Sequence, residues 1–206
     1  MINWGIIGLG NMGYKFASSI SETNNSKLKG IASLNSKRLK VFKETFNVDD
    51  KFSYQNYDDL IKDKNIDAIY IATLNNSHLE LIKKCAENKK NVLCEKPITL
   101  NYQEAQTAYD YINYNKIIFF EAIAFRSHPQ TQIVKELINE NIIGEISSIE
   151  SSFGFEVKKI NPKSRLFDKN LGGGSILDLG CYPLSTLSFL FGKNAIYNFI
   201  NTKGNF

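Results

Sequence analysis

The sequence predicts an α/β protein that begins with a doubly wound parallel sheet and continues into a second, α+β domain. Strand-like and helix-like patterns alternate through the first 120 residues. The strand-like runs are almost continuously apolar, which is typical of parallel strands covered by helices on both faces. After about residue 122 this alternation stops. We therefore divide the chain into a first domain of residues 1–121 and a second of residues 122–206.

Hydrophobic spacing places the elements of the first domain in order. The predicted strands are residues 2–8, 28–34, 66–72, 91–94 and 116–120. The predicted helices are residues 11–20, 36–46, 57–64 and 102–113. One more helix is predicted to follow Ser77, a residue type that favours the N-cap position. Its apolar residues recur every three to four positions, at Leu79, Ile82, Cys85 and Ala86.

The second part of the chain has a different pattern. Residues 129–141 are predicted as a helix, and residues 145–157 alternate as one long strand. Three consecutive glycines at residues 172–174 precede a helical segment that ends near Phe191, and a further strand begins at residues 195–200. One strand and the start of another do not make a stable sheet. We therefore expect this domain to be incomplete and the chain to be truncated at its C-terminus.

The composition is that of a globular protein, with 43% hydrophobic and 22% charged residues. No apolar run approaches the roughly 20 residues that a membrane-spanning helix needs, and the N-terminus lacks the basic region of a signal peptide. We expect a cytoplasmic protein without a membrane partner. Its cysteines (Cys85, Cys94 and Cys181) and histidines (His78 and His128) are few and far apart, so we expect buried thiols and no metal site.

The formal net charge of +4 does not predict a nucleic-acid partner. Only three of the 25 basic residues are Arg, the side chain best suited to bidentate contacts with bases and phosphates. The lysines are scattered along the chain, with no basic tract longer than a pair. We therefore expect the protein to bind a small molecule rather than a nucleic acid.

A glycine-rich turn directly follows the first predicted strand and opens the first helix. In this context Gly8 permits a tight turn, Gly10 lets a pyrophosphate approach the backbone, and Gly13 lets helix and strand pack closely. The N-terminus of the helix then faces the negative phosphates. The pattern predicts a dinucleotide cofactor. The residues that we expect to bind it here are Gly8, Leu9, Gly10, Asn11, Met12 and Gly13.

The residues around the end of the second predicted strand favour NADP over NAD as the cofactor. A carboxylate about 20 residues after the turn would bind the ribose 2′-hydroxyl of NAD. This chain has Ser33, Lys37 and Arg38 in that region and no carboxylate. A hydroxyl and two cations suit a 2′-phosphate. The alternative is that Ser36 caps the second helix and the two cations are merely solvated.

Lys96 is the first candidate catalytic residue. The Glu95-Lys96-Pro97 segment follows the strand at residues 91–94, at the edge of the sheet where open α/β proteins bind their ligands. An ammonium at that position can hydrogen-bond a substrate hydroxyl and stabilise the alkoxide that develops as hydride leaves.

Several motifs together resemble the glucose–fructose oxidoreductase/inositol dehydrogenase family (Gfo/Idh/MocA). In addition to the glycine turn and Glu95-Lys96-Pro97, they are Glu121-Ala122, Phe125-Arg126-Ser127-His128-Pro129, Ile143-Gly144-Glu145 and the glycine-rich stretch at residues 172–183. The resemblance implies a Rossmann domain at residues 1–121 and an open, mainly antiparallel sheet at residues 122–206. In this family the second domain supports the substrate side and the oligomer interface, so the resemblance also implies a homo-oligomer.

The resemblance implies roles for several side chains. Lys96 matches the family's catalytic lysine. Asp178 is followed four residues later by Tyr182. Many members of the family have His at the position of Tyr182, whereas the branch with xylose and dihydrodiol dehydrogenases has Tyr. Residues four apart share a helix face, although Gly180 and Pro183 can distort that turn. A free tyrosine titrates near about 10, so Tyr182 needs a neighbouring cation such as Lys96 to act as a base; the alternative is an aromatic core residue.

Further residues match family positions around the cofactor and substrate. We expect Thr73, Asn75, His78 and Glu95, together with Lys96, to line the cofactor, although His78 fits equally well as a capping residue of its helix. We expect Arg126 to contact substrate along with Lys96, Asp178 and Tyr182. Arg165 and Asp168, like Arg126, match family positions, where we expect ion pairs at the domain junction or substrate contacts.

The sequence therefore predicts an oxidoreductase that uses NADP, or alternatively NAD, to act on a sugar, polyol or dihydrodiol carbinol. A cofactor- or sugar-sensing regulatory protein of the same fold is the alternative. Lys96 and Tyr182 argue against it, because a sensor requires neither.

Overall fold

The computed structural model describes residues 1–192. The chain forms two compact units, Met1–Ala122 and Ile123–Phe206. The strand predicted at residues 195–200 lies outside the described residues. No helix within residues 1–192 is long and apolar enough to cross a membrane.

The first unit is the predicted doubly wound α/β domain. Its strands are β1 (Ile2–Ile7), β2 (Ser26–Ala32), β3 (Ser53–Tyr54), β4 (Ala68–Ile71), β5 (Asn91–Cys94) and β6 (Phe119–Glu121). Its helices are α1 (Asn11–Ile20), α2 (Ser36–Phe46), α3 (Tyr57–Lys62), α4 (His78–Glu87) and α5 (Tyr102–Asn115). Only β3 was not predicted, because a strand of two residues leaves no periodic signal.

All six strands are parallel and lie in the order β3-β2-β1-β4-β5-β6. The chain moves outward from β1 to β3, then returns to the other side of β1 and moves outward again from β4 to β6. The strand order therefore reverses between β1 and β4, and open α/β sheets bind ligands beside such a switch point, at the carboxyl ends of their strands.

The two faces of this sheet are covered by separate apolar clusters. Ile6 and Tyr70 belong to one cluster, and their strand neighbours Ile7 and Ile71 to the other. Neighbouring strand residues point to opposite faces, so a strand packed on both sides must be apolar throughout. Burying each Ile contributes about 1.5–3 kcal/mol. The strands are parallel and packed on both faces, so the prediction from continuous apolar runs is confirmed.

Asparagine caps the helices around the sheet. The side chains of Asn35, Asn56 and Asn101 accept the backbone N–H three residues later in α2, α3 and α5. Asn35 therefore caps α2, and not Ser36. The predicted cap at Ser77 is also wrong in its chemistry. A 3₁₀ turn at Asn75–Ser77 precedes α4, and the Ser77 hydroxyl bonds back to Thr73 and Leu74.

The second unit contains α6 (Pro129–Asn139), a π-helical turn (Ile176–Gly180) and α7 (Cys181–Phe191). Residues 123–192 contain no β-strand, so the long strand predicted at 145–157 is not formed, nor is an antiparallel sheet in this range. A strand exists only when a second strand takes up its backbone hydrogen bonds. No segment in this range pairs with residues 145–157, and their side chains Ile149 and Phe153 stay exposed.

Candidate active site

The glycine turn is packed tightly against the protein at two positions and open at the third. Gly8 has φ +95°, and a Cβ there would lie 2.5 Å from the carbonyl carbon of Ala72. A Cβ on Gly13 would lie 2.4 Å from the carbonyl oxygen of Gly8. A Cβ on Gly10 would meet no described atom within 4 Å. The turn thus keeps a side-chain-free backbone surface at Gly10, which fits the close approach of a pyrophosphate.

The N-terminus of α1 begins at this open position. Gly10 is the N-cap residue, and among the described residues no side chain caps the first turn, which also contains no acidic residue. The first N–H groups of a helix have no partner within the helix, so they can bind an anion. Asn11 and Met12 are exposed here, whereas the Leu9 side chain is buried and offers only its backbone. This arrangement fits the predicted dinucleotide.

The residues predicted to select the cofactor lie just beyond the end of β2. Ser33 is buried, and its hydroxyl accepts the N–H of Asn35 at 3.1 Å. Lys37 and Arg38 are exposed in the first turn of α2, which holds no acidic residue. Burial raises the pKa of Tyr57, and the nearby Arg38 guanidinium opposes that rise. The exposed pair of cations fits a 2′-phosphate, while Ser33 is engaged in shaping the turn.

Lys96 is partly buried at the carboxyl end of β5, in a segment that we call the lysine loop (residues 95–101). The preceding Glu95 is bonded twice to β4. Its N–H donates to the carbonyl of Ile71 at 2.9 Å, and its carboxylate accepts the hydroxyl of Tyr70. Burial and the Glu95 carboxylate both raise the pKa of Tyr70, so its phenol remains a donor. The Lys96–Pro97 peptide bond is cis.

Carboxylates also accept two backbone N–H groups of the lysine loop. The N–H of Ile98 donates to Oε1 of Glu121, the last residue of β6, at 2.9 Å. The N–H of Leu100 donates to Oε2 of Glu104 in α5 at 3.1 Å. Bonds from β4 and β6 thus hold the residues on either side of Lys96, whereas the bond to Glu104 lies at the far end of the loop, where α5 begins.

His78 joins the lysine loop to the end of β4. Its side chain is fully buried, with Nδ1 2.9 Å from the carbonyl of Pro97 and Nε2 3.4 Å from that of Thr73. Burial lowers the pKa of His78, and the N-terminus of α4 also disfavours a positive charge there. The ring is therefore neutral with a single N–H, which we assign to Nδ1 because that contact is shorter. The predicted cofactor contact needs a correction, since the buried ring presents no surface to a cofactor, whereas Thr73 and Asn75 remain partly exposed.

In the second unit, Asp178 and Tyr182 lie on either side of a change in helix type. Asp178 is buried in the π-helical turn and accepts a 2.9 Å hydrogen bond from Arg165. Tyr182 is in the first turn of α7, with its ring centroid 4.9 Å from that of Phe153. Pro183 has no N–H to donate to the carbonyl four residues earlier, so α-helical bonding is interrupted there. The predicted distortion of this turn is therefore confirmed.

Two other predicted residues have local partners in this unit. The Arg126 guanidinium is exposed and lies 5.8 Å from the ring centroid of Phe189. The Asp168 side chain accepts the N–H of Asn170 at 2.9 Å, and its carbonyl accepts that of Gly173. Asp168 thus shapes the turn before the glycine cluster. Arg165, the other residue expected in an ion pair, bonds to Asp178.

Sequence comparison identifies the family to which these features belong. Residues 2–122 match the family model described as "Oxidoreductase family, NAD-binding Rossmann fold" of the GFO/IDH/MocA group. Residues 131–199 match the "GFO/IDH/MocA C-terminal domain". The chain belongs to the GFO/IDH/MocA oxidoreductase family. This confirms the resemblance found in the motifs, and it makes the first unit an NAD-binding Rossmann domain.

Among curated proteins, the chain is 30% identical over 91% of its length to a trans-1,2-dihydrobenzene-1,2-diol dehydrogenase from Xenopus tropicalis. It is 29% identical over 92% of its length to D-xylose 1-dehydrogenase (NADP(+)) 2 from Haloferax volcanii. These alignments cover 56% and 57% of the two relatives. The chain therefore spans little more than half the length of these relatives.

Solved structures also resemble this chain over little more than half of their length. A 3-ketoreductase from Actinomadura kijaniata, crystallised with NADP and TDP-benzene, aligns with a TM-score of 0.82 at 28% sequence identity. That alignment covers 93% of this chain and 57% of the ketoreductase.

The sequence did not reveal that Tyr70 and Glu121 bond to the lysine loop from neighbouring strands. Tyr70 lies in an apolar strand, where a tyrosine is indistinguishable from any other core residue. Glu121 was recognised only as part of a family motif, and nothing in its local sequence marks it as a partner of Ile98. Both contacts join residues more than 20 positions apart.

Proposed function

We propose that this protein is an oxidoreductase that transfers a hydride between a nicotinamide cofactor, preferably NADP, and the carbinol carbon of a sugar, polyol or dihydrodiol. One observation carries the proposal. The open glycine turn and the lysine loop lie at the same carboxyl edge of the sheet, after β1 and β5, with only β4 between these strands. Two strand spacings amount to about 10 Å, which a dinucleotide readily spans.

The cofactor supplies the hydride acceptor when it is bound, and the first unit supplies the groups that hold it. The backbone of the glycine turn and the N-terminus of α1 bind the pyrophosphate. Lys37 and Arg38 bind a 2′-phosphate, with Ser33 holding the turn before them. Thr73, Asn75 and the neighbourhood of Glu95 line the nicotinamide half.

Lys96 and Tyr182 are the proposed catalytic residues. The Lys96 ammonium orients the substrate hydroxyl and stabilises the negative charge that develops on its oxygen. Tyr182 removes the proton of that hydroxyl, or returns it in the reductive direction. Asp178 assists at the substrate, with its charge balanced by Arg165, and Arg126 is a further substrate contact. These roles are carried over from the family motifs.

The substrate class rests on the relatives. A dihydrodiol dehydrogenase, a xylose dehydrogenase and a 3-ketoreductase all interconvert a secondary alcohol or hemiacetal with its oxidised form. We infer the same chemistry here, in a homo-oligomer of the complete protein. The free cysteines, of which Cys85 and Cys94 are fully buried, support a reducing compartment such as the cytoplasm.

Replacing the two catalytic candidates tests the proposal directly. In the full protein, Lys96→Met and Tyr182→Phe should each lower kcat by about 10²- to 10⁴-fold, because a positioned proton-transfer or charge-stabilising group is lost. NADPH affinity, measured by fluorescence titration, should stay nearly unchanged, since neither side chain holds the pyrophosphate.

Exposed residues of the same types serve as matched controls. Lys64→Met and Tyr114→Phe should leave both turnover and NADPH affinity unchanged. Normal turnover of Tyr182→Phe across a panel of sugars and dihydrodiols would show that Tyr182 is a packing residue, and Asp178 would become the residue to test.

A further inference from the structure

Glu121 ends β6 and has no part in the chemistry proposed above. It pairs in register with Cys94, the last residue of β5, and the N–H of Ala122 donates to the carbonyl of Cys94 at 2.7 Å. The end of β6 is therefore bonded to the chain just two residues before Lys96.

The Glu121 side chain returns to the same loop on the other side of Lys96. Its Oε1 accepts the N–H of Ile98 at 2.9 Å, and Ile98 is two residues after Lys96. Phe119, two residues earlier in β6, points to the same face and packs with Ile98 against the core cluster that α4 and α5 cover. Glu121 and Ile98 are both partly buried, so water competes weakly for this bond. Hydrogen bonds to an ionised acceptor are among the stronger ones in proteins.

Glu104 makes a chemically equivalent bond in the same loop but for a different purpose. Its Oε2 accepts the N–H of Leu100, and its own N–H is accepted by the Asn101 side chain, so the pair forms the capping arrangement of α5. This bond lies four residues after Lys96 and stabilises the start of a helix. Glu121, by contrast, belongs to another element and reaches the peptide next to Lys96-Pro97.

We propose that Glu121 is a positioning residue for Lys96, acting through the backbone hydrogen bond that it accepts from Ile98. It holds the chain after the lysine while β5 and its bonds to β4 and β6 hold the chain before it. The inference rests on the proposed catalytic role of Lys96. A misplacement of about 1 Å in a reacting group lowers the rate by about 10²-fold, so loss of this anchor should lower turnover without preventing cofactor binding.

The test compares four variants of the full protein: Glu121→Met, Glu121→Gln, Glu104→Met and Lys96→Met. For each, kcat, the KM for NADPH and the thermal unfolding midpoint are measured. Glu121→Met removes the acceptor at nearly constant size, and we expect kcat to fall about 10- to 100-fold with the KM for NADPH changed less than about 3-fold. Glu121→Gln retains an oxygen acceptor and should keep kcat within about 3-fold of the unsubstituted enzyme.

Glu104→Met is the matched control for a loosened loop. It should lower the unfolding midpoint, because the Leu100 N–H at the start of α5 loses its acceptor, and leave kcat unchanged at a temperature where the protein is folded. Equal losses of kcat in Glu104→Met and Glu121→Met would overturn the proposal, because they would show a general effect of loop stability.

Other outcomes also decide the matter. Normal kcat in Glu121→Met, with Lys96→Met impaired, would overturn the positioning role and leave the proposed function intact. Equal impairment of Glu121→Gln and Glu121→Met would overturn it as well, because charge and not the hydrogen bond would be responsible. Normal turnover in Lys96→Met would instead overturn the proposed function. If Glu121→Met does not fold, Glu121→Ala removes the same acceptor without adding bulk and is judged by the same criteria.

Discussion

The glycine turn and the lysine loop lie at one edge of the same sheet, yet they are shaped by different forces. The turn at residues 8–13 depends on the absence of side chains. Gly8 and Gly13 allow backbone to approach backbone, and Gly10 leaves open space above α1. The lysine loop depends on side chains from other elements. Tyr70 of β4, His78 of α4 and Glu121 of β6 each bond to a different residue within it.

The difference follows from what each loop would bind. A pyrophosphate is recognised by several backbone N–H groups at a helix end, and a short run of glycines is enough to expose them. A lysine with the proposed catalytic role must point at one substrate oxygen, and a lysine side chain has many conformations. Its backbone must therefore be held from several directions. We infer that cofactor binding here is encoded locally, and that lysine placement is encoded by the tertiary structure.

The largest expected effect comes from adding a methyl group to the glycine turn. Gly8→Ala should lower the free energy of unfolding by about 2 kcal/mol or more, because residue 8 has a left-handed backbone and its Cβ would collide with Ala72. NADPH affinity should fall at least about 100-fold, because the turn can no longer take up this shape. Chemical denaturation and fluorescence titration measure the two effects.

Gly10→Ala separates folding from binding within the same turn. A Cβ at this position meets nothing in the described protein, and the residue has an extended backbone that alanine adopts freely. Unfolding should change by less than about 0.5 kcal/mol, while NADPH affinity should still fall. Unchanged affinity in Gly10→Ala would show that the pyrophosphate does not approach this backbone.

A smaller effect is expected when His78, which contacts the lysine loop from α4, is replaced. His78→Leu leaves the Pro97 carbonyl without its donor and should lower the free energy of unfolding by about 1–3 kcal/mol. His78→Asn keeps an N–H group near the position of Nδ1 and should recover part of that loss. Equal destabilisation by both would mean that the ring contributes by packing alone and that the contrast between the two loops is overstated.

The next expected effect concerns the choice of cofactor, which the glycine turn cannot make because NAD and NADP share the pyrophosphate. The protein should bind NADPH more tightly than NADH. Arg38→Ala should weaken NADPH binding about 10-fold, by loss of one charge-assisted contact, and leave NADH binding unchanged. Lys40→Ala, an exposed cation further along α2, is the control. Equal affinities of the unsubstituted protein for the two cofactors would contradict this prediction.

The smallest expected effect is a pH dependence of stability that comes from His78, the α4 residue in contact with the lysine loop. The pKa of His78 is lowered in the folded protein, so below its unfolded value of about 6.5 the unfolded chain binds more protons than the folded one. The stability due to neutral His78 is fully present above that pH and decreases as the pH falls below it. Between pH 7.5 and 5, His78→Asn should therefore lose less stability than the unsubstituted protein, as measured by denaturation at each pH.

Local sequence predicted the first unit well because its elements carry strong local signals. The bounds of α1 and α2 agree with the prediction, and α5 extends two residues further than predicted. The caps show the limit of that reasoning. Ser77 has the right residue type and position for a cap, yet its hydroxyl bonds backwards to Thr73, because the chain makes a 3₁₀ turn before α4.

The prediction at residues 145–157 failed for a different reason. Alternating polarity makes a segment compatible with a strand, but the backbone hydrogen bonds of a strand must come from another segment. A helix satisfies its own hydrogen bonds, which is why α6 at Pro129–Asn139 agrees closely with its prediction and the neighbouring strand does not.

The sequence by itself determined the doubly wound sheet, the glycine turn and the choice of Lys96 and Tyr182 as candidates. Each of these follows from residues close together in the chain. The spacing of apolar residues predicts the sheet, the missing side chains of glycine predict the turn, and short motifs mark the two candidates. Only the tertiary structure decided that His78 is a buried link between two loops, that Arg165 pairs with Asp178, and that Glu121 holds Ile98. Those contacts join residues from 13 to 23 positions apart. Such pairs are chosen by the packing of whole elements, and the residues themselves carry no local mark of their partners.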